Sequence, residues 1–590
     1  MRPKAAHVLT AVALFLLMAS CGGGGGSSKT TGSAKSLSGV AAAGAPIIGL
    51  VTLKDSSTPP IWKYTQIAAN GGYTVDVTGL TAPFALRAEG TVGGKGISLY
   101  SAAVSADVGG TVNITPFTDL MLANIAQTVA KSYFEGDQYK NLTPTQLTTA
   151  ETALQTKLQP ILTAMKVPDS IDLLRSSMSA NRTGLDAVLD MVKVSVDPVT
   201  LVAEIQNVVT QNQVTMDVAT GSYTGGFTSG DGAKSAAGLT DLDQIAASFT
   251  TFTNLFAAAP APSTSNQTLR SLFDETNFMN DGQNLDAFLT DVTTSPDIIG
   301  IAFTNITLLS LTPDAVNPTQ SGVGTVGFEI LKKGVRERDG TNVFKVEKTA
   351  GVWKMQGNGK KCFARVEPRG FYFPGAQSEN LTTGLYLEVE DRGGKNVDHA
   401  LIVGPGLPQG GVLMVRDISH SWFDIAGDQN MGGFYRMDDA KIGQMPAVGA
   451  EYTITIYDSG NNVMDLYTET IGGRPLMPSE QTTANLPAIS TPTLSGWRNM
   501  TIATSAPGTT IQVNFTRPKN TYYDYTYAQV DGTQGNASVE SKSANPAATS
   551  DSLVLIARTA TSQAISPITW KWLEVGVSDD LGRRFTTVLN

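Results

Sequence analysis

Thiols, imidazoles and activated carboxylates are the side chains that most often carry covalent or proton-transfer chemistry, and this chain has few of the first two. It has two cysteines, Cys21 and Cys362, and three histidines, His7, His399 and His420. A reactive thiol needs a basic, helical setting that lowers its pKa; "KKCFARVEP" around Cys362 offers none, so a buried small hydrophobe is expected there. His399 and His420 stand without HExxH or CxxC partners, and no zinc set is expected. The run "RDISHSWFD" gathers Asp417, Ser419, His420, Ser421 and Asp424, the residue types of a nucleophile, a base and an orienting acid. Triads are assembled by tertiary folding, however, and the chain has no G-x-S-x-G elbow, so this adjacency predicts no hydrolase. Asp274, Glu275 and Asp281 fall around a loop, where carboxylates cap or solvate; one would serve as a base only if burial raised its pKa. "GPGLPQGG" lies between two strand patterns and "GNGKK" lacks a P-loop's spacing and its Ser or Thr, so both are turns or connectors. No catalytic residue, metal or cofactor is expected, and the chain is read as a non-enzyme.

The aromatic run "TYYDYTY" carries the candidate binding chemistry. Strand alternation puts Tyr523, Tyr525 and Tyr527 on one face and Tyr522 with Asp524 on the other. One face belongs to a core, and the other could stack on sugar rings or a protein partner.

The elements that hold these groups belong to a long chain with little charge. Its 590 residues suggest several compact units, and its 16% charged residues fall well below the ~25% of an average soluble protein. Glycine, serine, threonine and alanine are abundant, which favours a β-rich exported chain. A net charge of −10 without a basic block excludes nucleic acid as an expected partner. Residues 1–20 have Arg2 and Lys4 ahead of an apolar stretch too short to span a bilayer, the pattern of a cleaved signal peptide. Met18-Ala19-Ser20-Cys21 then resembles the lipobox of bacterial lipoproteins, departing from it at Met18, where leucine is preferred. The resemblance implies cleavage between Ser20 and Cys21 and lipidation of Cys21, with palmitate among the acyl groups. Two or more chains give stable membrane residence, so Cys21 would hold the whole chain on a membrane. Gly22, in place of the aspartate linked in that family to inner-membrane retention, implies the outer membrane of a Gram-negative bacterium, on its periplasmic side or at the cell surface.

Residues 21–35 are rich in Gly, Ser and Thr and read as a flexible tether. Short alternating runs over 36–114 predict a small β-sandwich, and "SGVAAAGAPIIGLVTLKD" resembles the prealbumin-like, carboxypeptidase-regulatory domains of bacterial surface lipoproteins. Residues 115–220 switch to helical spacing. Leu122, Ile125, Ala126, Val129 and Tyr133 form one stripe behind Thr115 and Pro116, and a second helix starts at the capping-box pair Thr143 and Gln146 and bends or ends at Pro160. A closing hairpin is expected near residue 217, and a glycine-rich linker over 221–238. Two helices and a meander ending in "GVWK" over 239–360 resemble the cone-shaped α+β fold of the nuclear-transport-factor-two and polyketide-cyclase superfamily, which implies a pocket open at one end. Evenly spaced strand signals over 361–478 and 494–590, with a linker at 479–493, look like two immunoglobulin-like or fibronectin-like sandwiches.

The expected fold class is therefore multidomain and mainly β with α+β parts: β-sandwiches, a helical subdomain and a cone-shaped domain. The expected role is a lipid-anchored, non-catalytic scaffold, display or binding protein of the cell envelope, with an envelope protein or glycan as partner. The alternative is a small-ligand receptor or enzyme that uses the cone pocket.

Overall fold

Apolar alternation pairs the first strands of the chain. In the computed structural model, which describes residues 35–295, 298–337, 342–375, 381–416, 423–427, 433–542, 545–558 and 563–590, Ser36–Val40 runs antiparallel to Gly72–Asp76. A four-stranded antiparallel sheet lies beside this pair, in the spatial order Trp62–Gln66, Ile48–Lys54, Phe84–Val92 and Lys95–Ala103. The signal peptide, the tether and Cys21 lie outside the described residues.

Helix starts follow their caps. Thr115 and Thr118 exchange backbone and side-chain hydrogen bonds ahead of Pro116–Ala126, and Thr143 and Gln146 do the same ahead of Pro144–Ala164. The first helix stops earlier than its stripe suggests, because Gln127 takes a left-handed conformation (φ 54°) before Ala130–Glu135 begins. The second continues through Pro160 to Ala164. After the helix Leu185–Met191, the expected hairpin is a four-stranded meander of Val192–Val196, Val202–Asn207, Gln213–Asp217 and Ser222–Thr224. Sheets, helices and meander share one apolar core running from Leu37 to Phe227, because no layer alone can bury both of its neighbours' apolar faces.

The glycine-rich stretch expected as a linker enters a 27-residue helix, Ser229–Leu255, capped by Thr228 and Asp231. Its glycines mark a close crossing. A Cβ on Gly232 would lie 2.3 Å from the Pro160 carbonyl oxygen, and one on Gly238 would lie 2.6 Å from Cγ2 of Val209. Gly232→Ala gains about 1 kcal/mol of helix preference, but overpacking against rigid backbone costs about 1–3 kcal/mol, so a net loss of stability is expected in urea unfolding. A stabilised variant would contradict the close-crossing account. Gln267–Ser271 and Leu285–Thr294 follow, then five antiparallel strands: Ile301–Pro313, Gly322–Lys332, Val335–Arg336, Asn342–Thr349 and Val352–Gly357. Phe249, Phe252, Phe256, Phe273 and Phe328 fill the space between helices and sheet.

In the C-terminal half, one sheet of seven strands runs in the order Phe434–Arg436, Leu381–Glu390, Phe363–Tyr372, Arg584–Leu589, Ile568–Asp579, Thr521–Gly532 and Gly535–Ser541. The last strand of the chain, Arg584–Leu589, pairs in parallel with Phe363–Tyr372. A five-stranded sheet of Phe423–Ile425, Val412–Arg416, His399–Val403, Glu451–Tyr457 and Val463–Thr470 packs over one end of it. A three-stranded sheet of Ala488–Thr491, Thr509–Thr516 and Ser550–Leu555 packs over the other. The two sandwiches thus share a sheet. The stretch expected as a linker, 479–493, is built into them: Gln481 is buried and donates to the Thr382 carbonyl at 3.1 Å, and Leu486 packs with Val577 and Phe585. Alternation specifies which side of a strand is buried but not which strand lies beside it, so this continuity carries no local signal. The molecule is a mainly β, multidomain protein with helices, as its sequence predicts.

Candidate functional site

Strand Thr521–Gly532 carries the tyrosines, and a β-bulge redistributes them. Tyr523 lies opposite Val577 and Tyr525 opposite Gly576, leaving Asp524 as the extra residue. The bulge inverts the alternation, so Tyr523 does not share a face with Tyr525 and Tyr527. Tyr523 enters the core, stacks on Phe515 with ring centres 5.3 Å apart, and donates to Asp551 Oδ2 at 2.6 Å. Tyr525 and Tyr527 turn to the face away from the three-stranded sheet. Tyr525 is buried with its ring across Gly576, where a Cβ would lie 2.1 Å from it, and the Arg584 guanidinium stands 5.4 Å from its centre. Tyr527 is half-buried and donates to Gln529 Oε1 at 2.6 Å; Tyr522 donates to Asp580 Oδ2 at 3.2 Å.

The same face bears Trp572 and exposed Trp570, rings 5.2 Å apart, with Phe373 5.9 Å from Trp572. Trp572 Nε1 donates to Glu574 at 2.9 Å, and burial pushes the Glu574 carboxyl up. Beside them Arg584 pairs with Asp524 at 2.7 Å and with Glu367 at 3.3 Å, and the Arg369 guanidinium lies 4.0 Å from the Tyr386 ring centre. The two tryptophans were not singled out from sequence, although W-x-W in "TWKWLEV" places both on one side of a strand.

The remaining candidates have structural occupations. Cys362 is fully buried, with Sγ 3.6 Å from the Tyr467 hydroxyl, and burial pushes its thiol up to about 12. His399 stacks on Tyr457 at 4.7 Å and its Nδ1 lies 2.9 Å from Asp398. Asp417, Ser419, His420 and Ser421 lie outside the described residues. Asp274 accepts from the Thr276 and Asn277 amides and from Gln356; burial raises its pKa, but these bonds outweigh it and hold the carboxyl below its ordinary value. Glu275 pairs with Arg270 at 2.8 Å.

Asp281 alone of these carboxylates lines a cavity, one of about 570 Å³ between the second unit, which runs from the helix Ser229–Leu255 to the strand Val352–Gly357, and the strands Phe363–Tyr372 and Val463–Thr470. Burial pushes its carboxyl up, partly offset by a 2.8 Å hydrogen bond from Asn358. The inner wall is aromatic, built from Phe252, Phe288, Phe303, Phe328 and Phe344. Charged groups gather at the mouth, where Lys360 pairs with Glu469 and stands 4.5 Å from the Tyr467 ring centre. Trp353 stays clear of the cavity: it is buried, with Nε1 donating to Asp241 at 3.0 Å. The wall contributed by Phe363 to Arg365 and Asp465 to Thr470 was invisible from sequence, since it belongs to strands of two neighbouring sheets.

Among the described residues no group of three or more His, Cys, Asp or Glu is placed to hold a metal, and no helix is long and apolar enough to cross a membrane. Comparison with protein families and with curated proteins finds no match. Among solved structures, the crystal structure of a tetra-tandem repeat in the extending region of a large adhesion protein is similar at 9% identity, covering 94% of this chain and 97% of that one. Its TM-score of 0.12 is too low to place the two in one fold.

Proposed function

We propose that this chain is a lipid-anchored, non-catalytic display or binding protein of the outer membrane of a Gram-negative bacterium. The observation that carries the reading is Met18-Ala19-Ser20-Cys21 directly after a basic and then apolar N-terminal stretch. Acylation at Cys21 would fix the chain to the lipid surface, and residues 21–35 would hold the folded units clear of it. The first sheets would serve as a prealbumin-like spacer, the unit over 239–360 as a cone-shaped domain, and the fused sandwiches as immunoglobulin-like or fibronectin-like modules. The engaged states of Cys362, His399, Asp274 and Glu275 support a role without catalysis. The partner would be an envelope protein or a glycan, met by the accessible groups of this face, Tyr522, Tyr527, Trp570 and Trp572, with Tyr525 buried beneath them.

A second reading, reception of a small ligand, is favoured by the aromatic-walled cavity. The first reading is tested by globomycin, which blocks lipoprotein signal cleavage: treated cells should accumulate a precursor retaining residues 1–20, and processing indifferent to the drug would reject it.

A further inference from the structure

The two smaller sheets pack on one side of the seven-stranded sheet, the five-stranded one against Val366 and Leu387 and the three-stranded one against Val530 and Leu573. The other side reaches solvent at the end that bears Trp570, Asn536 and Ser538, all of them exposed. Register sets an aromatic column beside a polar one there. Trp570 stands opposite Asp531 and Trp572 opposite Gln529; on the far side of that strand Asn536 faces Asp531 and Ser538 faces Gln529.

The aromatic column is a platform. The rings of Trp570 and Trp572 are 5.2 Å apart and inclined by 35°, and Phe373 extends them, 5.9 Å from Trp572. The polar column is ordered before any partner arrives. Tyr527 donates to Gln529 Oε1 at 2.6 Å, and Gln529 Nε2 donates to Asp531 Oδ1 at 2.7 Å, so little side-chain freedom is left to lose on binding. Charge on this end of the face is low. Glu540 lies 3.6 Å from Lys542, burial raises the Glu574 carboxyl, and among the described residues Asp531 makes no ion pair. One accessible carboxylate therefore stands among neutral amides and hydroxyls.

We infer that this end of the sheet binds a neutral polysaccharide of equatorially substituted pyranose rings. The inference rests on the display-or-binding reading and selects the glycan from its two kinds of partner. Such a ring has C–H groups on its flat faces and hydroxyls around its rim. Its flat face stacks on Trp570 and Trp572, and its rim hydroxyls project over the neighbouring strand, about 4.8 Å away, where Gln529 and Asp531 meet them. Asn536 and Ser538 extend the same contact by one strand. An apolar protein surface laid here would take the Gln529 and Asp531 polar atoms out of water without replacing their bonds, and a polyanion would meet the Asp531 charge.

The test uses the full protein in nanodiscs, with empty nanodiscs as reference. It is titrated calorimetrically with cellohexaose, a neutral chain of such rings, and with the cellouronate hexamer, which carries a carboxylate on every ring. Wild type should bind cellohexaose, and the anionic hexamer about tenfold more weakly. Trp570→Ala should weaken cellohexaose by about tenfold without lowering the melting temperature. Asp531→Asn, which keeps hydrogen bonding and removes the charge, should narrow the gap between the two hexamers. Should Trp570→Ala unfold, Asp531→Asn still reads the same face. In parallel, Ser538 is replaced by p-benzoylphenylalanine and photocrosslinked in native cells. No cellohexaose binding, with an envelope protein captured at Ser538, overturns the glycan and leaves the binding reading standing. No cellohexaose binding and no capture overturns both. Equal binding of the two hexamers, or an unchanged gap in Asp531→Asn, overturns the neutral class. Normal binding by a folded Trp570→Ala places the sugar elsewhere and overturns the site.

Discussion

Asp241→Ala lowers the stability of the second unit by about 3–5 kcal/mol, the cost of stranding one partner of a buried ion pair. Asp241 lies on the inner side of the long helix and joins it to the sheet at two points. Lys348 Nζ donates to it at 2.7 Å, and Trp353 Nε1 donates to the same oxygen at 3.0 Å. Both charged side chains are nearly inaccessible, at 10% for Asp241 and 7% for Lys348, so water cannot replace the lost acceptor. Truncation leaves a buried ammonium without its counter-ion, holding only the Pro318 carbonyl at 3.5 Å, and a buried indole N–H without an acceptor, and the stranded indole adds about 1–3 kcal/mol to the cost. Asp241→Ala combined with Lys348→Met removes the stranded charge and should recover most of the loss. Urea unfolding followed by tryptophan fluorescence measures each value. A single-variant loss under 1 kcal/mol, or a double variant no better than the single, would show that the pair does not hold helix to sheet.

Asp190→Asn raises stability at neutral pH and flattens its pH dependence. Asp190 is 1% exposed, neither carboxyl oxygen has a hydrogen-bond partner among the described residues, and Asp186 stands one helical turn away. Burial first, and the Asp186 charge second, push its carboxyl well above the ordinary range. Two neighbours in the same unit behave alike: burial raises Asp119 to about 7, and burial with the Asp172 charge raises Glu151 to about 7. The sign follows from where the proton is held more tightly. With folded values above unfolded ones, the folded state binds more protons, so stability is greatest below the unfolded value of about 4 and declines as pH rises toward 7. Each such group removes about 1.4 kcal/mol per pH unit across that window. Asparagine keeps the shape of Asp190 without the charge, so the variant gains most at the alkaline end. Melting temperatures of both proteins from pH 4 to 8 check this; a variant whose slope equals that of wild type, or whose gain does not grow with pH, contradicts it.

Local features were legible in the sequence where a few adjacent residues decide the structure. The capping pairs Thr115 with Pro116 and Thr143 with Gln146 begin helices where they were expected, and alternation found the strands. Glycine misled, because its two uses look alike: at residues 230–238 it serves a close helix crossing, not a flexible break. The small residues Ser229, Gly232, Ser235 and Gly238 repeat at a helical spacing of three, which is the signal that separates the two uses. Strand parity failed at Asp524, where one bulged residue exchanges the faces of Tyr525 and Tyr527. No local pattern could announce that Arg584–Leu589 would lie beside Phe363–Tyr372, because parallel pairing is a matter of topology. For the same reason the cavity wall supplied by Phe363 to Arg365 and Asp465 to Thr470, on strands of two other sheets, has no local signal.

The anchor is tested most directly by fractionation of native cells expressing wild type or Cys21→Ala. The account predicts wild type in the carbonate-resistant outer-membrane fraction, with the variant losing signal cleavage, fatty-acid labelling and outer-membrane residence together. An unlabelled wild type, or a variant that is cleaved and distributed as wild type is, would contradict it.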